Sequence, residues 1–111
     1  MIDGSDGERI LEIDRIDGGL RIRGEVDLSN IERFSEEVHG AARPGVELVL
    51  DLSECEYMGS EGIGVLIQAW KVVRDGGRLV LRSPNPTLRR VLVLAGLQKF
   101  PQVDMPAEAA G

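Results

Sequence analysis

The chain has 111 residues, of which 42% are hydrophobic but only 4% aromatic, and a formal net charge of −6. That is enough for one domain with a core of Leu, Ile and Val, and the acidic balance argues against a nucleic-acid or anionic-membrane surface, which needs clustered Lys and Arg. The single cysteine, Cys55, allows no intramolecular disulfide, and no apolar run approaches a signal peptide or a membrane span, so a cytoplasmic protein is expected.

Residues 1–8 are rich in Gly and Asp and are expected to be a flexible lead-in. The single domain is expected over residues 9–103, with a flexible tail over 104–111. Arg9–Ile16 alternates in part, and Asp17-Gly18-Gly19 signals a hairpin turn. In the next strand Leu20, Ile22 and Val26 point one way, while Arg21, Arg23, Glu25 and Asp27 point the other.

Ser29 or Asn30 is placed to cap a helix whose apolar positions are Ile31, Phe34, Val38 and Ala41 or Ala42, and Arg43-Pro44-Gly45 stops it. Val46–Leu52 predicts a central strand covered on both faces. Ile63–Arg74 predicts a second helix with little polar face, followed by the strand Arg78–Arg82. Asn85 caps a third helix with Pro86 at its first position, and Gly96 ends it. Phe100–Val103 predicts a last short strand. The order is a starting hairpin followed by βα units in one sheet.

No residue pattern makes a convincing catalytic centre, and none calls for a cofactor. Cys55 would need a cation and an anion-cradling loop to act as a thiolate nucleophile, but Glu56 and Glu61 follow it and would raise its pKa. It reads instead as a small apolar filler. Gly59, Gly62 and Gly64 suggest an anion-binding nest for a nucleotide or small anion, yet lack the Gly-Lys-Ser/Thr ending of a phosphate loop. Tight strand-to-helix packing explains them as well. His39, the only histidine, has no evident Ser or Cys partner, and no metal-ligand spacing is present.

Two segments carry a family resemblance. Gly24-Glu25-Val26-Asp27-Leu28 and the run Leu50-Asp51-Leu52-Ser53 through Tyr57-Met58-Gly59-Ser60-Glu61-Gly62-Ile63-Gly64-Val65-Leu66 together resemble the STAS domain of bacterial anti-sigma factor antagonists. That family shows a Gly-Glu-(Leu/Val)-Asp step, then Asp-Leu-Ser ahead of Asp-Ser-(Ser/Ala)-Gly-(Leu/Ile)-Gly-(Val/Leu). Leu94-Ala95-Gly96-Leu97 is similar to the ending of its third helix. The implied fold is α/β, a STAS-like single domain with a small mixed β-sheet packed with three or more helices.

The resemblance implies partner switching in transcription regulation, not catalysis. An unphosphorylated antagonist binds an anti-sigma factor that is also an ATP-dependent serine kinase, and so frees a sigma factor. Phosphorylation at the second helix blocks that binding. The implied partner surface is Asp27, Met58, Gly59, Ser60, Glu61 and Gly62. Two positions depart from the pattern: Glu61 stands where the acceptor serine is expected, and Gly59 where the preceding aspartate is expected.

Glu61 is therefore read either as a partial mimic of the phosphorylated state or as a loss of kinase control, and Ser60 as an off-register phosphoacceptor. Each also has a structural reading. Ser60 is placed to cap the second helix, Glu61 to complement its dipole, and Asp27 to stabilise the turn into the first helix. An alternative role is a STAS accessory or scaffold subunit of a signalling assembly or lipid-transport ATPase. An exposed stripe on the second helix would then mark an interface in a homodimer or larger assembly.

Overall fold

A computed structural model describes residues 10–106. Strands β1 (Leu11–Ile16) and β2 (Gly19–Val26) form an antiparallel hairpin, and Gly18 turns it with φ of +83°, a conformation that glycine adopts without strain. Then come α1 (Ile31–Ala41), β3 (Glu47–Met58), α2 (Ser60–Val73), β4 (Arg78–Arg82), α3 (Pro86–Leu94), a 3₁₀ turn (Leu97–Lys99) and β5 (Val103–Asp104). The strands lie side by side in chain order, with β2 to β5 parallel.

This topology places the helices. Each crossover from β2 onward steps in the same direction, and right-handed crossovers that never reverse put every helix on one face. Phe34 and Val38 from α1, Leu66, Ala69 and Val73 from α2, and Leu88 and Leu92 from α3 accordingly share one core with Leu20, Ile22, Leu48, Leu50 and Leu52. Each fully buried large aliphatic or Phe side chain contributes roughly 1.5–3 kcal/mol. The central strand, expected to be covered on both faces, is covered by helices on only one of them. Its other face is covered by arginine and carboxylate side chains: Asp51, only 6% exposed, lies between Arg21 Nε at 3.3 Å and Arg82 Nη2 at 3.4 Å.

The same strand is longer than its hydrophobic run. Register shifts against β2 between Arg21 and Arg23 and between Gly24 and Glu25 mark bulges, so the buried residues of β3 go from alternate positions (Leu48, Leu50, Leu52) to every third (Cys55, Met58). Ser53–Met58 thus belongs to the strand, not to a loop, and Cys55 is inside it.

The last strand is also displaced. Phe100–Gln102 is a turn in which the Pro101 carbonyl accepts from Trp70 Nε1, and pairing starts only at Val103. Asp104 pairs with Val80, and Arg89 donates to the carbonyls of Met105 and Pro106 at 3.1 Å, so the ordered chain runs into the segment expected to be a tail. Residues 1–8 and 107–111 of the expected flexible ends lie outside the described residues. None of the described helices is long and apolar enough to cross a membrane.

Candidate protein-docking site

In a sheet whose strands run parallel, the loops after the strands collect at one edge. Here the loop after β2 and the turn after β3 are joined directly. Val26 pairs with Met58, and the Gly59 amide donates to the Val26 carbonyl at 2.9 Å. Asp27, from one expected motif, is thereby brought beside Gly59–Glu61 from the other.

The loop after β2 is held by its own side chains. Asp27 Oδ1 accepts from the Ser29 amide at 2.9 Å and the Ser29 hydroxyl at 2.6 Å. Asn30 Oδ1 accepts from the Asp27 amide at 3.0 Å, while its Nδ2 donates to the Glu25 carbonyl at 2.9 Å. Asn30 occupies the N-cap position of α1 but makes no side-chain cap, because its amide is used in tying the loop back to β2. This rigid turn leaves Leu28 pointing outward, 71% exposed.

The turn after β3 is a single residue. Gly59 is the N-cap of α2, and its carbonyl accepts from the amides of Gly62 at 3.0 Å and Ile63 at 3.2 Å. The expected Ser60 cap is corrected: the helix begins three residues earlier than its apolar run, and Ser60 is its first residue, exposed and with no capping bond. Glu61, half-buried, turns back. A Cβ built on Gly59 would lie 2.6 Å from Glu61 Oε1 and 3.4 Å from the Tyr57 hydroxyl.

The six expected contact residues therefore divide. Met58, 3% exposed, and the buried Gly59 and Gly62 build the turn, whereas Asp27, Ser60 and Glu61 are the ones that present side chains at the surface. Leu28 and Tyr57, the latter 51% exposed, complete the face. Leu28 was legible as an apolar residue following the Gly-Glu-Val-Asp step inside a turn sequence, but nothing local told that it faces outward. Asp27 and Glu61 are the charged side chains of this face and Leu28 and Tyr57 its apolar points, so the face is acidic; Glu54 is paired away with Arg23 Nε at 3.2 Å.

The two glycines of α2 differ. A methyl on Gly62 would meet Met58 Cγ at 2.5 Å and Val26 Cγ1 at 2.9 Å, whereas Gly64 has nothing within 4 Å. Gly62→Ala is expected to cost about 1–2 kcal/mol by overpacking. Gly64→Ala is expected to stabilise by about 0.5–1 kcal/mol through helix propensity. Urea unfolding of the two variants should move in opposite directions from the parent.

Cys55 is fully buried. Burial pushes its thiol up to about 11, and the charges of Glu56 and Glu25 add to this against an opposing contribution from the Tyr57 backbone. Its reaction with a disulfide reagent at pH 8 should be slow in the folded protein and complete once the chain is unfolded in denaturant. His39 is exposed on α1 and does have a hydroxyl neighbour, since its Nδ1 lies 3.1 Å from Ser35 Oγ one helical turn away. No group of three His, Cys, Asp or Glu among the described residues is arranged to hold a metal ion.

A family model described as "Mlab, STAS domain" matches residues 11–105. The anti-sigma-B factor antagonist of Bacillus subtilis (strain 168) is 30% identical over 93 residues, covering 83% of this chain and 84% of its own. Among solved structures, the anti-sigma factor antagonist SpoIIAA in its unphosphorylated form superposes with a TM-score of 0.66 at 21% identity, covering 91% of this chain and 90% of that one. The Bacillus cell fate determinant SpoIIAA in the phosphorylated form gives 0.59 at 22%, covering 91% and 94%. At these identities the structural likeness establishes the shared fold.

Proposed function

Because this chain belongs to the STAS-domain family that includes the anti-sigma factor antagonists, whose members act by binding and not by catalysis, we propose that it binds an anti-sigma factor and so releases a sigma factor. The observation that carries this reading is the joined, acidic face at the edge of the sheet: Asp27, Leu28, Tyr57, Ser60 and Glu61 on two loops locked by the Gly59-to-Val26 hydrogen bond. The partner is a kinase-like anti-sigma factor, and phosphorylation control is weakened or lost because Glu61 occupies the acceptor position of the motif.

Calorimetry against the cognate anti-sigma factor tests the binding, and release of transcription by its sigma factor tests the consequence. Heat of binding without release would leave the antagonist reading without support. Incubation with the partner and ATP tests the control: stoichiometric phosphate on Ser60 would overturn the insensitive reading.

The competing role, an accessory subunit with an exposed stripe on α2, has less support. Val65, Leu66, Ala69, Trp70 and Val73 are buried, Ile63 and Ile67 pack against the core, and Trp70 is covered by Phe100, their ring centroids 4.6 Å apart. Among the large apolar side chains of α2 only Val72 is exposed, which is too little for a helix-wide interface.

A further inference from the structure

We infer that Asn85 is a positioning residue for the docking face: its side-chain amide fixes the bulge at Glu56, and that bulge puts Tyr57 on the surface and Gly59 against Val26. The functional half of this inference rests on the docking reading above, whereas the structural half stands without it.

Register is the reason. Along the ladder of β2 and β3, Gly24 stands opposite Cys55 and Glu25 opposite Tyr57, so Glu56 is an extra residue with no partner on β2. Cys55 and Met58 thereby face the core, and Tyr57 stands outside, 51% exposed. Side chains alternate along a strand, so a slip of one residue exchanges the two faces. Were Glu56 drawn into the ladder opposite Glu25, Tyr57 would fall against Val26 on the core side and Met58 would turn outward. The Gly59 amide would move by one residue, roughly 3.3 Å, and lose the Val26 carbonyl.

β4 ends at Arg82, opposite Asp51, so β3 runs on to Met58 without a strand on that side. Asn85, in the loop after β4, fills the gap. Its Nδ2 donates to the Cys55 carbonyl at 3.1 Å, immediately before the bulged residue. Immediately after that residue, the Tyr57 carbonyl accepts from the Cys55 thiol at 3.5 Å, a weak bond. The Asn85 amide is thus the stronger of the two ties across Glu56. Its Oδ1 is committed elsewhere, accepting from the Leu88 amide at 2.7 Å as the cap of α3. One side chain therefore anchors α3 with its oxygen and the docking strand with its nitrogen.

The test separates the two atoms. Asn85→Asp and Asn85→Ser both keep an oxygen at a cap position where Asn, Asp and Ser rank alike, but neither carries the amide donor. Peptide mass mapping after brief peroxide treatment of the folded full chain reads the register without a partner. Oxidation of Met58, 3% exposed in the parent, is expected to quicken about tenfold in both variants, because the slip turns it outward. Oxidation of Met105, whose carbonyl is held by Arg89 of α3, should stay within about twofold of the parent. No change at Met58 would overturn the inference. An equal rise at both methionines would overturn it too, since that reports a loosened α3 and not a shifted strand.

The binding arm is calorimetry against the cognate anti-sigma factor, where each variant is expected to bind about tenfold more weakly than the parent. Variants that bind as tightly as the parent while Met58 oxidises faster would overturn the positioning role. A parent chain that binds no anti-sigma factor would instead overturn the proposed function, and the methionine readout would still decide the register.

Discussion

Replacing Asp51 with alanine is expected to destabilise the protein by about 2–3 kcal/mol and to lower its melting temperature by about 10 °C. Asp51 is the one charged residue buried among those described, and it binds three strands together. Its register partners are Arg21 on β2 and Arg82 on β4, both of which donate to Oδ2, while Oδ1 accepts from the Ser53 amide at 2.9 Å. Removing it leaves two guanidinium groups flanking an empty position and an amide without its acceptor. Both arginines are more than a third exposed, so water reaches them and the cost falls short of that for a wholly buried ion pair.

Burial alone would raise the Asp51 carboxyl, but the hydrogen bonds from Ser53, Arg21 and Arg82 outweigh it and hold the group below the ordinary aspartate value. A carboxyl with a lowered folded pKa adds stability that is present above the unfolded value near 3.9 and lost as pH falls through the folded one. The stability difference between the parent and Asp51→Asn should therefore be full at pH 7 and shrink below about pH 4. Urea melts at a series of pH values measure it. A difference that stays constant down to about pH 2 would mean that the ionised carboxylate is not its source.

Leu28→Ala is expected to weaken binding to the anti-sigma factor by about 30-fold, or roughly 2 kcal/mol, with no loss of fold stability. Leu28 stands 71% exposed on a turn fixed by Asp27, Ser29 and Asn30, so its side chain loses little freedom when a partner covers it. Tyr57 offers a second anchor on the neighbouring strand end. Leu94 supplies the control, because it is 78% exposed yet ends α3, which runs back toward the opposite edge of the sheet. Leu94→Ala should leave affinity unchanged. Equal losses from Leu28→Ala and Leu94→Ala would sink the assignment of the docking face to the edge containing Gly59.

Much of this fold was legible. The period-2 pattern of Leu20, Ile22 and Val26 and the helical spacing of Phe34 and Val38 each placed fully or almost fully buried residues. Asn85 caps α3 as its position before Pro86 predicts, its Oδ1 accepting from Leu88 at 2.7 Å. The Asp-Leu-Ser step proves to be a local hydrogen bond, Ser53 amide to Asp51, together with a cross-strand ion pair that no local pattern reveals. The errors fall where a local period breaks. Bulges carried β3 six residues past Leu52, and the α2 ladder began at Gly59 before the apolar run started.

By itself, the sequence determined the hairpin-then-βα order, the core-facing residues and the two motifs, because alternation, helical spacing and turn residues act over a few neighbouring positions. Only the tertiary structure decided which motif residues reach the surface. Met58 and Gly62 are taken into the core by the close approach of α2 to β2 and β3, while Leu28 is turned outward by a hydrogen-bonded loop. It also decided the posture of Glu61. A glycine two residues earlier leaves the space into which the carboxylate folds, and that depends on the chain passing from β3 to α2 through one residue.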